Sequence, residues 1–256
     1  MPTIDLNCDM GESFGVYKLG RDEDVIEHVS SVNIACGWHA GDALVMNRSV
    51  KLAVDHGVGV GAHPSYPDLM GFGRRNMSCT LEEIRNYVIY QIGALSAFCA
   101  ANGVTMQHVK AHGTLYLTAV ENEAVATAVA EAIVSVDPGL LFVALAGPKG
   151  ALMAGIGEEL GLKVVREAFP DRAYTAEGTL ASRSLRGTVI SDPEKVAERA
   201  LKMAKEGRVI AIDGTEIDLQ AHTLCVHGDN ASAVDVVKTV RGLLESEGIA
   251  VKPMSF

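Results

Sequence analysis

The chain has 256 residues, of which 48% are hydrophobic and 21% are charged, so its composition is typical of a globular protein with a substantial buried core. No apolar run reaches the roughly 18 residues that a membrane-spanning helix needs. The net charge of −10 argues against binding to nucleic acid or to an anionic membrane.

The amino terminus and the cysteines together predict a cytoplasmic protein. The first residues enter the apolar run Thr3–Leu6 without a basic or long apolar segment, so we expect no signal peptide. The five cysteines contain no C-x-x-C pair, and their odd number is typical of reduced thiols. We interpret them as small buried side chains rather than as nucleophiles or ligands.

Strand and helix patterns alternate along the chain. Short apolar runs predict strands at residues 3–8, 32–36, 58–62, 106–110, 140–146, 162–167, 209–212 and 223–226. Apolar spacings of three and four, together with capping residues, predict helices at residues 42–56, 80–102, 122–136, 149–160, 192–206 and 231–246. Because no change in composition marks a boundary, we predict one α/β domain over residues 1–256. About seven strand–helix units favour a distorted parallel barrel over an open sheet, although periodicity does not decide closure.

Polar side chains recur where the predicted strands end. In a parallel barrel these ends meet on one face, so we expect a shared site there. The residues are Asn7, Asp9, Glu12, His39, Asp42, His63, Asp68, Lys110, His112, Glu167, Asp171, Arg172, His227 and Asp229.

The chemistry of this predicted site has two interpretations. Carboxylate and imidazole groups are suitable ligands for a divalent metal, with Asp9, His39, His63 and His112 as the candidates. The same groups also suit a metal-free set of general acids, bases and hydrogen-bond donors. Their spacing matches no local metal motif, so the bound metal stays undetermined at this point.

Other motifs reduce the number of functional classes that fit the sequence. Arg74 and Arg75 lie in the glycine- and proline-rich loop 64–75, where a guanidinium is suited to hold a carboxylate or phosphate; a solvated surface pair is the alternative. The sequence contains no G-x-x-x-x-G-K-[ST] phosphate loop and no G-x-S-x-G nucleophile elbow. A self-sufficient P-loop nucleotide hydrolase and a serine hydrolase are therefore disfavoured.

Seven segments in order along the chain resemble the LamB/YcsF family, over essentially the whole length. They are Asp5–Glu12, Asn33–Asp42, Gly61–Asp68, Gly71–Arg74, Val109–Tyr116, Glu167–Tyr174 and Val226–Asp229. The resemblance implies a seven-stranded β/α barrel related to glycoside hydrolases and polysaccharide deacetylases. Two positions depart from the family pattern: Ala111 stands where proline is usual, and Leu117 where asparagine is frequent.

The resemblance also implies an activity, since this family supplies the A subunit of the bacterial ATP-dependent 5-oxoprolinase. Such an enzyme opens 5-oxo-L-proline to L-glutamate, with ATP as co-substrate together with Mg²⁺, and B and C subunits as partners. On this basis we expect catalytic roles for Asp9, His39, His63 and His112, with Asp9 or His112 as the base that deprotonates water. The expected substrate-binding residues are Asn7, Glu12, Arg74, Lys110, Asp171, Arg172, His227 and Asp229.

Two other functions stay open from the residues alone. One is a metal-dependent deacetylase or amidase that acts without partners. The other is a non-catalytic subunit that only binds the lactam. The oligomeric state is also open, with a homo-oligomer as one arrangement.

Overall fold

A computed structural model describes residues 1–183, 185–227 and 233–255. Within these residues, seven parallel strands form a barrel that is closed by pairing of its first and last strands. The barrel strands are β1 (Thr3–Met10), β2 (Ser31–Ala35), β3 (Gly59–His63), β4 (His108–Val109), β5 (Leu141–Leu145), β6 (Val164–Ala168) and β9 (Thr223–Cys225). The prediction of a distorted seven-stranded parallel barrel is therefore confirmed.

Helices cover the outside of the barrel. They are α1 (Asp22–Val25), α2 (Ala43–His56), α3 (Leu81–Ala101), α4 (Gly113–Glu121), α5 (Glu123–Val136), α6 (Ala151–Glu159), α7 (Pro193–Glu206) and α8 (Ala233–Ser246). Their starts follow from capping chemistry. The carboxylate of Asp42 accepts hydrogen bonds from the first turn of α2, and Thr80 and Glu83 form a capping box at α3.

No helix in the described part of the chain is both long and apolar enough to cross a bilayer.

Several elements differ from the sequence-based expectation. The predicted strand at residues 209–212 lies outside the barrel: β7 (Arg208–Ile210) pairs antiparallel with β8 (Glu216–Asp218) as a separate ribbon. The short strand β10 (Ala250–Val251) pairs with the beginning of β1 and was not predicted. Helices α1 and α4 were also missed, because α1 has only four residues and α4 is apolar with little polar alternation.

The interior of the barrel is polar because of the alternation of β1. Leu6, Cys8 and Met10 belong to the hydrophobic core, whereas Asp5, Asn7 and Asp9 hydrogen-bond to side chains of other barrel strands. These partners are Ser31, Thr223, Glu167, Asn33 and Lys110. Burying so many polar groups is tolerable only because they satisfy one another.

A glycine makes room for one of these polar groups. A Cβ at Gly61 of β3 would overlap the imidazole of His108, whose Nε2 lies 2.8 Å from the Oδ1 of Asn33. Burial, with the nearby charge of Lys110, lowers the pKa of His108 to about 3, so this ring is neutral. Gly61 therefore allows a neutral histidine to bridge strands β2 and β4.

The substitution Gly61→Ala tests this packing. We expect it to lower the free energy of unfolding by about 1–3 kcal/mol, because the added methyl group overpacks the interior. Gly93→Ala is the matched control: Gly93 is an exposed residue of α3 with nothing near its absent Cβ, so alanine should stabilise the helix by roughly 0.5–1 kcal/mol. Urea-induced unfolding followed by circular dichroism measures both. Equal effects of the two substitutions would contradict the packing role of Gly61.

Candidate active site

A cavity of about 460 Å³ lies at the carboxyl end of the barrel strands. Asp9 reaches it from β1, His63 from β3, and Lys110 and His112 from the residues that follow β4. The opposite wall comes from the loops after β6 and β9. The lining side chains that carry polar groups are Asp9, His63, Arg74, Lys110, His112, Thr114, Tyr116, Arg172, Ser182, Arg183 and His227.

A buried lysine forms the floor of this site. The Nζ of Lys110 lies 3.0 Å from the Oδ1 of Asp9 and 2.8 Å from the Oε1 of Glu167; it also donates to the Sγ of Cys225 at 3.1 Å. Burial alone would lower the pKa of Lys110, but the neighbouring carboxylates raise it well above its usual value. The ammonium charge is therefore retained, and it is neutralised by protein carboxylates.

Asp9 is held in its ionised form. Burial would raise its pKa, but the charges of His63 and Lys110 and a hydrogen bond with His63 outweigh burial and lower the pKa well below its usual value. Its Oδ1 accepts from Asn33 at 2.8 Å and from Lys110 at 3.0 Å, while its Oδ2 lies 3.3 Å from the Nε2 of His63. Asp9 is thus an acceptor fixed from two sides.

A cluster of three imidazoles and a carboxylate adjoins the floor, and we call Glu12, His39, His63 and His112 the imidazole cluster. One ligand-type atom from each of the four residues lies within 4.8 Å of all the others. The Nε2 of His39 is 3.6 Å from the Oε1 of Glu12, and the Nδ1 of His112 is 3.0 Å from the Nε2 of His63. Burial lowers the pKa values of His39 and His112 well below the usual value.

The loop after β3 covers the imidazole cluster. The backbone carbonyl of Phe72 accepts a hydrogen bond from the Nε2 of His112 at 2.9 Å, and the Phe72 ring makes edge contacts with His39 and His112. Phe72 has φ of 55°, which is costly for a bulky residue. Gly73 follows with φ of 64°, and a Cβ there would collide with Ser65 and approach His112. The loop therefore packs directly on the histidines, and its backbone is strained at Phe72 as a result.

Three arginines form the cationic wall of the cavity, and His227 lies beside them. Arg74 lies over the Phe72 ring, with its Cζ 4.9 Å from the ring centroid. The Nη2 of Arg183 donates to the Nε2 of His227 at 2.7 Å, and the Nδ1 of His227 donates to Asp171 at 2.6 Å. Arg172 donates to the carbonyl of Ala181 at 2.7 Å, and its buried Nε has no hydrogen-bond partner among the described residues. We call Arg74, Arg172 and Arg183 the cationic wall.

Some of the predicted site residues line the cavity, and others lie behind its wall. The cavity wall contains Asp9, His63, Arg74, Lys110, His112, Arg172 and His227. Glu12 and His39 lie behind it in the imidazole cluster, and Asp171 lies behind His227. Asn7 is fully buried, and its amide contacts Glu167, Thr223 and Asn33 rather than the cavity. Asp229 is outside the described residues.

Two other residues of the site were not expected from the sequence. Arg183 lies in an irregular segment without periodicity. Tyr116 follows His112 by one helical turn, and its buried hydroxyl has no hydrogen-bond partner in the part of the chain that the structure describes. The spacing of four from His112 would have indicated Tyr116 if α4 had been predicted. Arg75, by contrast, pairs with Asp68 at the surface, as the alternative interpretation expected.

Comparison with known proteins shows the family of the chain. A model of the LamB/YcsF family matches residues 4–256. A protein of Pyrococcus abyssi that is named as the A subunit of 5-oxoprolinase is 54% identical over 251 residues, which cover 98% of this chain and 97% of that protein. The chain belongs to the LamB/YcsF family. The resemblance seen in the sequence is therefore confirmed.

Solved structures show how this LamB/YcsF protein relates to other barrels. The lactam utilization protein of Thermus thermophilus superposes with a TM-score of 0.93 at 47% identity, covering 98% of this chain and 100% of that one. The T48 deacetylase superposes with a TM-score of 0.50 at 15% identity, over 98% of this chain and 88% of the deacetylase chain. The second likeness concerns the fold alone, and it confirms the deacetylase-like type of barrel.

The substitution Lys110→Met tests the floor of the site. Removing the ammonium leaves Asp9 and Glu167 buried without their cation, so we expect the free energy of unfolding at neutral pH to fall by about 3–5 kcal/mol. Lys51→Met is the matched control, because Lys51 forms an exposed pair with Asp55 and should change stability little. Chemical unfolding measures both variants.

The difference between wild type and Lys110→Met should depend on pH. Because Asp9 has a lowered pKa in the folded protein, its ionised form stabilises the fold above its unfolded pKa, near 4. This contribution is lost as the pH falls through the folded value. Lys110→Met removes much of it, so the two proteins should converge in stability as the pH decreases below about 4. A constant difference from pH 7 to pH 3 would contradict the ion-pair assignment.

Proposed function

We propose that this chain is the A subunit of an ATP-dependent 5-oxoprolinase, a cyclic-amide hydrolase, and that its cavity holds 5-oxo-L-proline while the lactam opens to L-glutamate. The observation that carries this proposal is one cavity that joins a cationic wall to fixed acid–base groups. The names of the relatives, which are the A subunit of 5-oxoprolinase and the lactam utilization protein, support the same substrate class.

The cationic wall is suited to the carboxylate of the substrate. Arg172 has an unpartnered Nε, and burial with the adjacent Arg183 lowers its pKa to about 10, which leaves it charged at neutral pH. Arginine matches a carboxylate by paired hydrogen bonds. The charge of Lys110 is neutralised by Asp9 and Glu167. We therefore assign anion binding to the arginines, and to Lys110 the role of fixing the two carboxylates.

Asp9 and His112 are the two candidate bases of the site. Asp9 has a lowered pKa, so it is ionised at neutral pH, and its Oδ2 lies 3.3 Å from the Nε2 of His63. His112 is neutral because burial lowers its pKa, and its Nδ1 keeps a lone pair because its Nε2 donates to Phe72. We propose that Asp9 or His112 takes the proton of the attacking water.

In this proposal, the reaction with ATP belongs to partner subunits. A lactam is an amide, and phosphorylation of its oxygen would make the ring carbon electrophilic. Water would add to that carbon, the ring nitrogen would gain a proton as the C–N bond breaks, and a second water would release phosphate from the resulting acyl phosphate. The sequence has no phosphate-loop motif, and the relatives are named as one subunit of an enzyme. We therefore propose that B and C subunits supply the phosphoryl chemistry with ATP and Mg²⁺, and that this chain completes ring opening.

A second candidate is a metal-dependent amidase that acts without partners. The imidazole cluster favours it, because three imidazoles and a carboxylate are common metal ligands. It predicts amide hydrolysis by the isolated chain, lost on chelation. The non-catalytic alternative predicts lactam binding, with turnover in the complex unaffected by substitutions in the site.

Glutamate formation from 5-oxo-L-proline separates these functions. The assay compares the chain alone with the chain plus B and C subunits, each with and without ATP. We expect turnover only in the complete mixture with ATP. Turnover by the chain alone would support the amidase instead.

Two variants test the assignment of the base. Asp9→Asn and His112→Ala should each reduce turnover of the assembled enzyme about 10²–10⁴-fold, and circular dichroism verifies that they fold. His56→Ala changes an exposed histidine of α2 and should leave turnover unchanged. Full activity of both site variants would show that the assignment is wrong.

A further inference from the structure

Two histidines of the imidazole cluster present ring nitrogens to each other. The Nδ1 of His63 lies 2.7 Å from the backbone carbonyl of Lys110, and the Nε2 of His112 lies 2.9 Å from that of Phe72. A carbonyl only accepts, so each of these nitrogens carries a hydrogen. The remaining nitrogens, Nε2 of His63 and Nδ1 of His112, face each other at 3.0 Å, and the Nε2 of His63 also lies 3.3 Å from the Oδ2 of Asp9. With no hydrogen on either of them, both nitrogens can bind a cation placed between the two rings.

His39 supplies the second and independent observation. Its side chain is fully buried, yet neither ring nitrogen has a hydrogen-bond partner among the described residues. Leaving a buried polar group unsatisfied costs about 1–3 kcal/mol. The Nε2 of His39 is directed toward the Oε1 of Glu12, 3.6 Å away, which is too long for a hydrogen bond.

The spacing of the four atoms fits a metal ion. In a tetrahedral zinc site with bonds of about 2.0–2.1 Å, neighbouring ligand atoms are roughly 3.3–3.4 Å apart. The observed separations are 3.0 Å between His63 and His112, 3.6 Å between His39 and Glu12, and 3.9 Å between His112 and Glu12. All four atoms lie within 4.8 Å of one another.

We propose that Glu12, His39, His63 and His112 bind one divalent first-row transition-metal ion, such as Zn²⁺. The ligand atoms are Oε1 of Glu12, Nε2 of His39, Nε2 of His63 and Nδ1 of His112. Three imidazoles with one carboxylate suit Zn²⁺, Co²⁺ or Ni²⁺ and disfavour Mg²⁺ and Ca²⁺, which prefer oxygen ligands. The ring of His39 makes no hydrogen bond to the described residues, but it stacks on the ring of His112 with the centroids 3.7 Å apart. Binding of the ion therefore requires the ring of His39 to tilt out of this stack.

A shared proton explains the site less well than a metal ion. A proton between His63 and His112 would satisfy those two nitrogens but would leave both nitrogens of His39 without a partner. The backbone carbonyls behind His63 and His112 also orient these rings in the manner usual for metal-binding histidines. Because His63 and His112 line the cavity, an ion held there would polarise a bound carbonyl or a water molecule. The Nδ1 of His112 would then be a metal ligand and would not accept a proton, so the role of base would belong to Asp9.

Metal binding by the isolated full-length chain tests the proposal. The protein is stripped with a chelator and titrated with Zn²⁺ in a calorimeter, and with Co²⁺ while visible absorption is recorded. We expect one equivalent to bind, a visible Co²⁺ spectrum of low coordination number, and a melting temperature that rises with metal concentration. Glu12→Gln, which keeps the shape of the side chain, and His39→Ala should each weaken binding at least about tenfold. His56→Ala should bind as the wild type does.

Two outcomes would overturn the proposal. One is a folded, stripped protein that binds neither Zn²⁺ nor Co²⁺, as expected if the cluster shares only a proton. The other is binding that Glu12→Gln and His39→Ala leave unchanged, which would place the ion elsewhere on the chain. The titration uses no substrate or partner, so its failure leaves the proposed 5-oxoprolinase function standing, and failure of the turnover assay leaves the metal site standing.

Discussion

The structure depends on the buried ammonium of Lys110, which lies between the carboxylates of Asp9 and Glu167. These residues come from β1, the end of β4 and β6, so a single cation joins distant parts of the barrel across its interior. Without it, the acids would repel each other and take up protons. With it, Asp9 stays ionised and keeps its Oδ2 toward His63. The three charged side chains of Lys110, Asp9 and Glu167 therefore stabilise the interior and determine the charge of the cavity floor.

The fold was largely predictable because strand and helix periodicities were clear and strong caps marked helix starts. The capping box at Thr80 and the cap at Asp42 both lie where the predicted helices begin. Closure was not predictable from periodicity, since an open sheet shows the same alternation. The ribbon β7–β8 was not distinguishable from a barrel strand, because its short apolar run has the same local pattern.

The site was predictable as a region but not in its contacts. Strand ends converge in a parallel barrel, which is why Asp9, His63 and His112 were expected together. The depth of each side chain along its strand was not predictable. Asn7 precedes Asp9 by two residues, so it lies deeper in the barrel, where its amide makes hydrogen bonds within the interior. Glu12 was expected at the substrate, yet the chain after β1 turns it toward the histidines. Loop geometry of this kind has no periodic signal.

The two sides of the site are encoded in different parts of the chain. The imidazole cluster is complete by His112, whereas the cationic wall requires Arg172 and the residues beyond it. The barrel is closed where β9 pairs with β1. This pairing therefore keeps the amino-terminal imidazole cluster and the carboxyl-terminal part of the cationic wall around one cavity.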